Sequence, residues 1–406
     1  MKTRLQTIGT IALAMAILGG TRSGDADEVD VVITVANKEK VVVTSTSKPP
    51  FTGTRPSADV AILLDTSNSM DGLIGQAKSQ LWTIVQQFAT AQKNGQTPVL
   101  RVALFEYGNT NLPASEGYIR QVVPLTDNLD ELSEKLFGLR TRGGDEYCGQ
   151  VIDEAIERLD WSQEPNAYRA IFIAGNEPFT QGSVDYREAC RKAIEGGIVV
   201  NTIHCGAYQA GVDGKWADGA KLAEGEYFNI DQDKKQIHIE CPQDKIIIQL
   251  NAELNKTYLW YGKAELRDSL ATNQVRQDVN ASEASPESLL SRSVAKAGAA
   301  YRNVNRDLVD TYAVDADILS KVADEELPAE LQKLNDSERK ARILETKTRR
   351  DEISAKIAKL NREREEYLQQ ARVKLATDGG EQTLGDVVVK AVRDQLTEAG
   401  FEFETK

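Results

Sequence analysis

Residues 59–70 read Asp-Val-Ala-Ile-Leu-Leu-Asp-Thr-Ser-Asn-Ser-Met, and the fold is decided there. Val60 to Leu64 is an unbroken apolar run of strand length, as expected for a strand covered on both faces. It empties into a D-x-S-x-S loop, Asp65-Thr66-Ser67-Asn68-Ser69, ahead of a helix whose Ile74, Ala77, Leu81, Ile84, Val85 and Phe88 recur at three- and four-residue spacing. Short apolar runs then alternate with helical patterns: residues 99–108 (VLRVALFEYG), 118–123 (YIRQVV), 170–176 (AIFIAGN), 197–205 (GIVVNTIHC) and 226–231 (EYFNID). Helices are expected over 128–139, 149–159 and 185–195. This alternation predicts an α/β fold with a mostly parallel sheet and helices on both faces. One carboxylate and two hydroxyls at alternate positions of a strand-to-helix turn can face one point. Such hard oxygens suit Mg²⁺, with Mn²⁺ or Ca²⁺ as alternatives. The competing reading is that Asp65 and Ser69 only cap the following helix.

Outward from this region the chain changes character. Lys2 and Arg4 precede an apolar run over residues 8–20, so residues 1–26 are read as a signal peptide and the protein as periplasmic or secreted. Residues 27–57 read as a β-hairpin or edge segment and a linker, and the α/β domain is expected over 58–254. A helical extension follows over 255–327, then a long charged helix or helical hairpin over 328–376 and a C-terminal helix over 377–406. In the long helix Ile353, Ile357, Leu360 and Tyr367 keep a heptad seam that Thr346, Arg350 and Arg364 interrupt, which favours a hairpin packed on the main domain over a dimeric coiled coil. Tyr258, Trp260 and Tyr261 are read as glue between the extension and its neighbour.

With 49 Lys and Arg against 62 Asp and Glu in 406 residues, the net charge of −13 argues against a nucleic-acid partner. Two histidines, His204 and His238, leave no histidine cage and few candidates for a triad base. His204 is read as structural at the sheet's carboxyl edge. Cys148, Cys190, Cys205 and Cys241 are compatible with two disulfides in an oxidising compartment, or with small buried apolar residues.

The AILLDTSNSM segment, its amphipathic helix and the later strand–loop segments resemble the von Willebrand factor type A (VWA) domain over about Asp59 to Glu240. The resemblance implies that the sheet is a Rossmann-like, doubly wound one. It also implies a metal-ion-dependent adhesion site whose first part is Asp65, Ser67 and Ser69. In the family it is completed by a threonine from a second loop and an aspartate from a third, and an open position accepts a carboxylate from a protein partner. This chain departs at both later loops. Arg142-Gly143-Gly144-Asp145-Glu146 puts acids where a hydroxyl is usual, and Gly175 stands in the aspartate's place, followed by Asn176 and Glu177. Asp145 or Glu146 is expected to restore the second negative charge, with Asn68, Asn176 and Glu177 lining the ligand position.

Three function classes follow. The first is an exported, cation-dependent protein-binding or adhesion module at the cell envelope. The second is a structural module with a degenerate, metal-free site that binds through its helical tail. The third, a phosphotransferase with Asp65 as nucleophile, is disfavoured because Ser67 stands where such enzymes carry a second aspartate, so no enzymatic activity is expected.

Overall fold

The computed structural model describes residues 29–34, 40–45, 55–71, 74–230, 239–377 and 384–403. The signal-peptide reading of residues 1–26 and the residue His238 lie outside them. The chain divides into two units, Met1–Thr54 and Arg55–Lys406. In the first, β1 (Val29–Thr34) and β2 (Lys40–Ser45) form an antiparallel pair with Val31 opposite Val43.

The second unit is built on a six-stranded sheet. In chain order its elements are β3 (Ser57–Asp65), α1 (Ile74–Thr90), the short β4 (Ala91–Gln92), β5 (Val99–Tyr107), β6 (Arg120–Thr126), α2 (Leu129–Gly138) and α3 (Cys148–Arg158). Then come β7 (Tyr168–Gly175), α4 (Tyr186–Glu195), β8 (Val199–Cys205), α5 (Tyr208–Asp213), α6 (Trp216–Leu222) and β9 (Tyr227–Ile230). The strand order is β6-β5-β3-β7-β8-β9, parallel throughout except for β6 at one edge. The chain moves from β3 to one side through β5 and then to the other through β7, so the order reverses at β3 and opens a crevice at its carboxyl end. Alternate residues of β3 serve the two faces. Val60 and Leu64 pack with Phe88, Leu132 and Leu136 from α1 and α2, whereas Ala61 and Leu63 pack with Val151, Ile152, Ala189 and Trp216 from α3, α4 and α6.

Beyond the sheet the chain is helical: α7 (Asp244–Asn255), α8 (Ala264–Ala284), α9 (Pro286–Ala297), α10 (Leu308–Tyr312), α11 (Ala329–Gln332), α12 (Asp336–Thr377) and α13 (Leu384–Glu398). Ser285 caps α9 by accepting a hydrogen bond from the Ser288 amide at 3.0 Å, with Pro286 at the first helical position. The apolar cluster under α1 and α2 continues without a break into Ile247, Leu290, Val294, Ile353, Ile357, Val388 and Leu396. One face of the sheet and the helices therefore share a core. The chain's last strand, β10 (Glu402–Phe403), pairs antiparallel with β4. No helix among the described residues is long and apolar enough to cross a membrane.

Of the two alternatives for residues 328–376, the long charged helix is what forms: α12, preceded by the one-turn α11. The expected seam is corrected in two ways: Thr346, Arg350 and Arg364 do not interrupt it, being buried on one stripe with Ile343, Ile353, Ile357 and Leu368, and Tyr367 is not part of it but exposed. The two arginines belong to it because each meets acids brought by other helices. Arg350 binds Asp307 at 2.8 Å and Asp310 at 3.0 Å and stacks over the Tyr258 ring at 4.2 Å, while Arg364 binds Asp244 at 2.8 Å and Glu287 at 2.5 Å. Tyr258 in turn lies parallel to Trp260 at 5.1 Å, so the aromatic cluster is interior glue, as read from the sequence.

A second buried network joins α2 to α8 and α9. Arg292, fully enclosed, bridges Asp130 and Asp278 at 2.7 Å each, Lys296 reaches Asp278 at 2.9 Å, and Tyr301 donates to Asp130 at 2.6 Å. Burial alone would raise the Asp278 pKa, but Lys296 and Arg292 hold it down to about 2. A carboxylate depressed in the folded state stabilises it above the unfolded carboxylate pKa and loses that contribution as pH falls through the folded value. Asp278→Asn is expected to cost about 3–5 kcal/mol by stranding buried cations. It should also flatten the acid limb of the stability curve between pH ~4 and ~2, read by urea melts at each pH.

Candidate functional site

The three strand ends that meet at the crevice are Asp65 of β3, Tyr107 of β5 and Gly175 of β7. Asp65 is fully buried. Its Oδ1 accepts the Ser67 backbone N–H at 2.7 Å, a local turn bond of the kind the capping reading requires. Its Oδ2 is buried with no hydrogen-bond partner. Capping accounts for one oxygen and leaves the other stranded, at a cost that native interiors ordinarily avoid. Ser67 and Ser69 face each other with hydroxyls 2.7 Å apart, and Ser69 donates to Asn176 Oδ1 at 2.9 Å, which ties the first loop to the third.

The second loop supplies its acid through Glu146. This side chain is buried, contacts the Ser67 hydroxyl and lies close enough to Asp65 for the Asp65 charge to raise its pKa. Burial, first, and then Asp65 push Glu146 up to about 8. Burial likewise pushes Asp65 to about 7 against the pull of the Ser67 amide and hydroxyl, with Glu177 adding to the rise and the nearby Asn176 backbone amide opposing it weakly. Asp145 does not join them: it is exposed and accepts from the Tyr147 hydroxyl at 3.2 Å. Asn68 is exposed at the rim, against Gly143.

Two glycines make this approach feasible. A Cβ on Gly108, which has φ +76°, would lie 2.8 Å from Asp65 Oδ1 and 2.9 Å from Glu146 Cγ, so only glycine lets the two acids converge. A Cβ on Gly175 would meet the Tyr107 hydroxyl at 2.5 Å and the Trp216 ring at 3.0 Å. Tyr107, whose hydroxyl donates to Ala174 O at 3.0 Å, fills the space a third-loop aspartate would need.

The third loop is pinned on its backbone. His204 bonds Asn176 O at 3.2 Å and Trp216 Nε1 donates to Glu177 O at 2.8 Å. His204 is thus structural, as its sequence position suggested, and burial lowers its pKa. The Gln181 amide spans the loops, accepting from the Glu146 N–H at 3.2 Å and making a long 3.5 Å contact to the Glu177 carboxylate. Sequence reasoning missed Tyr107, Gly108, Gln181 and Trp216. The only available signal was the glycine that ends VLRVALFEYG. Of the two readings left open for the cysteines, the structure has the second: Cys148, Cys190, Cys205 and Cys241 are buried free thiols, and Cys148 Sγ contacts the Tyr107 hydroxyl at 3.8 Å.

Residues 59–225 match the family model described as the von Willebrand factor type A domain. This stretch of the chain is a VWA domain. Solved structures similar to the chain include a conserved hypothetical protein, BatB, from Bacteroides thetaiotaomicron, at 20% identity over 43% of this chain and 91% of that one, TM-score 0.32. Proximal thread matrix protein 1 from the mussel byssus, with a zinc-occupied metal-ion-dependent adhesion motif, is 14% identical over 44% of this chain and 43% of that one, TM-score 0.33. A von Willebrand factor type A protein from Catenulispora acidiphila is 18% identical over 44% and 40%, TM-score 0.33. No curated protein matches the chain.

Two measurements test this description of the VWA domain. Gly175→Ala is expected to cost about 1–3 kcal/mol by overpacking, and less in a Tyr107→Phe background, which lacks the nearest clashing atom. Equal penalties in the two backgrounds would contradict the packing argument. Alkylation in denaturant without reductant should add one label at each of the four cysteines, while the native protein resists labelling.

Proposed function

We propose that the VWA domain binds a divalent cation at the end of β3 and uses it to dock a protein partner at the cell envelope. Asp65, Ser67, Ser69 and Glu146 would hold the ion, Mg²⁺ or else Mn²⁺ or Ca²⁺, and the ion supplies a positive Lewis-acid centre that a partner's oxygen can approach. The observation that carries this reading is the stranded Asp65 Oδ2, buried beside a second buried carboxylate with no basic side chain pairing either among the described residues. A cation would satisfy the oxygen and relieve the crowding together. No three acidic, histidine or cysteine side chains among the described residues form a metal cage by themselves, so the hydroxyls of Ser67 and Ser69 are needed in the donor set. That all-oxygen composition favours hard ions. VWA domains commonly serve protein–protein interaction, and the loops of the carboxyl edge also present an exposed aromatic, Tyr208 of α5.

Calorimetric titration of Mg²⁺ and Mn²⁺ into the native sequence and Asp65→Asn tests the reading. The native sequence should bind one ion saturably and gain about 2.7 kcal/mol of stability at a hundredfold excess over Kd. Asp65→Asn should bind none, yet melt no lower than the native sequence in EDTA, because it removes a crowded charge. Cation binding that survives in Asp65→Asn, or its absence from the native protein, would refute the site.

A further inference from the structure

The charge around the Asp65 site exceeds what a divalent ion neutralises, and the excess comes from Glu177. Asp65 and Glu146 alone balance a charge of +2. Glu177 stands next to Asn176, which is tied to Ser69 at 2.9 Å, and its carboxylate is linked through the Gln181 amide to the backbone of Glu146. Its field reaches both inner acids. The Glu177 backbone cannot retreat easily, since Trp216 holds its carbonyl at 2.8 Å and His204 holds that of Asn176 at 3.2 Å. Glu177 itself is only half-buried, so it stands at the mouth, outside the fully buried Asp65 whose unpartnered oxygen marks the site. Other charged residues on these loops are Asp71, Arg140, Arg142, Asp145 and Asp185, all exposed. Asp71 is engaged by the Thr141 hydroxyl and Asp145 by Tyr147.

We propose that Glu177 guards the open face of the ion against carboxylates, so that the partner presents a neutral oxygen, an amide, hydroxyl or main-chain carbonyl, with a basic residue beside it to pair with Glu177. The inference rests on the cation reading above and reverses the ligand preference that resemblance to the family implies. A carboxylate arriving at this mouth would meet a like charge across a partly desolvated gap, whereas a neutral oxygen brings no such penalty and a neighbouring Lys or Arg gains an ion pair.

The test uses Mn²⁺-loaded protein, with water-proton relaxation reporting access to the ion and acetate as the probe. In Glu177→Gln, acetate should suppress the relaxation enhancement at a concentration about tenfold lower than in the native sequence, the scale of one like-charge contact near a protein surface. Glu177→Asp, which keeps the charge, should behave as the native sequence does. Equal acetate sensitivity in the native and Glu177→Gln proteins would overturn the guard role while leaving cation binding in place. Loss of Mn²⁺ binding in Glu177→Gln would overturn it as well, by making Glu177 a holder of the ion. Absence of saturable Mn²⁺ binding from the native protein would instead remove the cation reading on which the inference stands.

Discussion

A buried carboxylate with one satisfied and one stranded oxygen is the constraint around which the carboxyl edge of the sheet is organised. Asp65 sits at the end of an apolar strand, covered on both faces, where an ionised group loses most of its hydration. The first loop offers it a single backbone N–H through Oδ1. A fold that wished only to cap a helix would leave the acid near water; this one buries it and sets Glu146 against it. Gly108 and Gly144 are shaped for that contact, since a Cβ on Gly144 would meet Gly108 O at 2.5 Å. Backbone has been brought together at the expense of side chains so that two acids and two hydroxyls can surround one point.

The helices beyond the sheet follow a related logic at larger scale. Their apolar stripe merges with one face of the sheet, but their register is specified by buried ions: Arg292 between Asp130 and Asp278, Arg350 between Asp307 and Asp310, and Arg364 between Asp244 and Glu287. Replacing such pairs with apolar residues need not weaken a protein, whereas removing one partner does, so their value lies in selecting one packing among several. Leu259's amide donates to Asp307 at 2.6 Å, so the Arg350 network also anchors the segment that leads out of α7. The carboxyl-terminal helix closes the same face: Gln395 of α13 meets Tyr168 at 2.7 Å and Asn201 at 2.7 Å, bridging β7 and β8.

How far the chain could be read in advance differed by element, for physical reasons. The β3 strand, the D-x-S-x-S turn, α1 and the alternation of β7, α4 and β8 were legible because burial on both faces leaves unbroken apolar runs and helix faces keep a 3.6-residue period. Helix α8 was not, because its interior side carries Gln274 and Gln277 while Leu266, Val275 and Val279 are exposed, so no apolar stripe marks it. Within the helical extension expected over 255–327, residues 307–322 hold only the five-residue helix α10 and a single 3-10 turn at Ile318–Ser320. Asp307 explains the start of α10, accepting from the Asp310 amide at 3.0 Å as the cap. Arg350 and Arg364 looked like breaks in a seam because a periodicity rule has no means of knowing that another helix brings an acid to that point.

The sequence by itself determined the α/β class, the identity of the first loop, the structural role of His204 and the aromatic cluster at 258–261. Each is a local matter of residue type and period. Tertiary structure alone decided which acid faces Asp65. Asp145 and Glu146 are adjacent in the chain, and only the direction of the second loop, anchored through Gln181 and opened by Gly108, buries one and exposes the other. It also decided why Gly175 carries no acid, because the Tyr107 hydroxyl that occupies that space comes from a strand 67 residues away in sequence from the Ala174 carbonyl it binds. The four cysteines were left open by counting and settled by packing, since each thiol lies buried and unpaired.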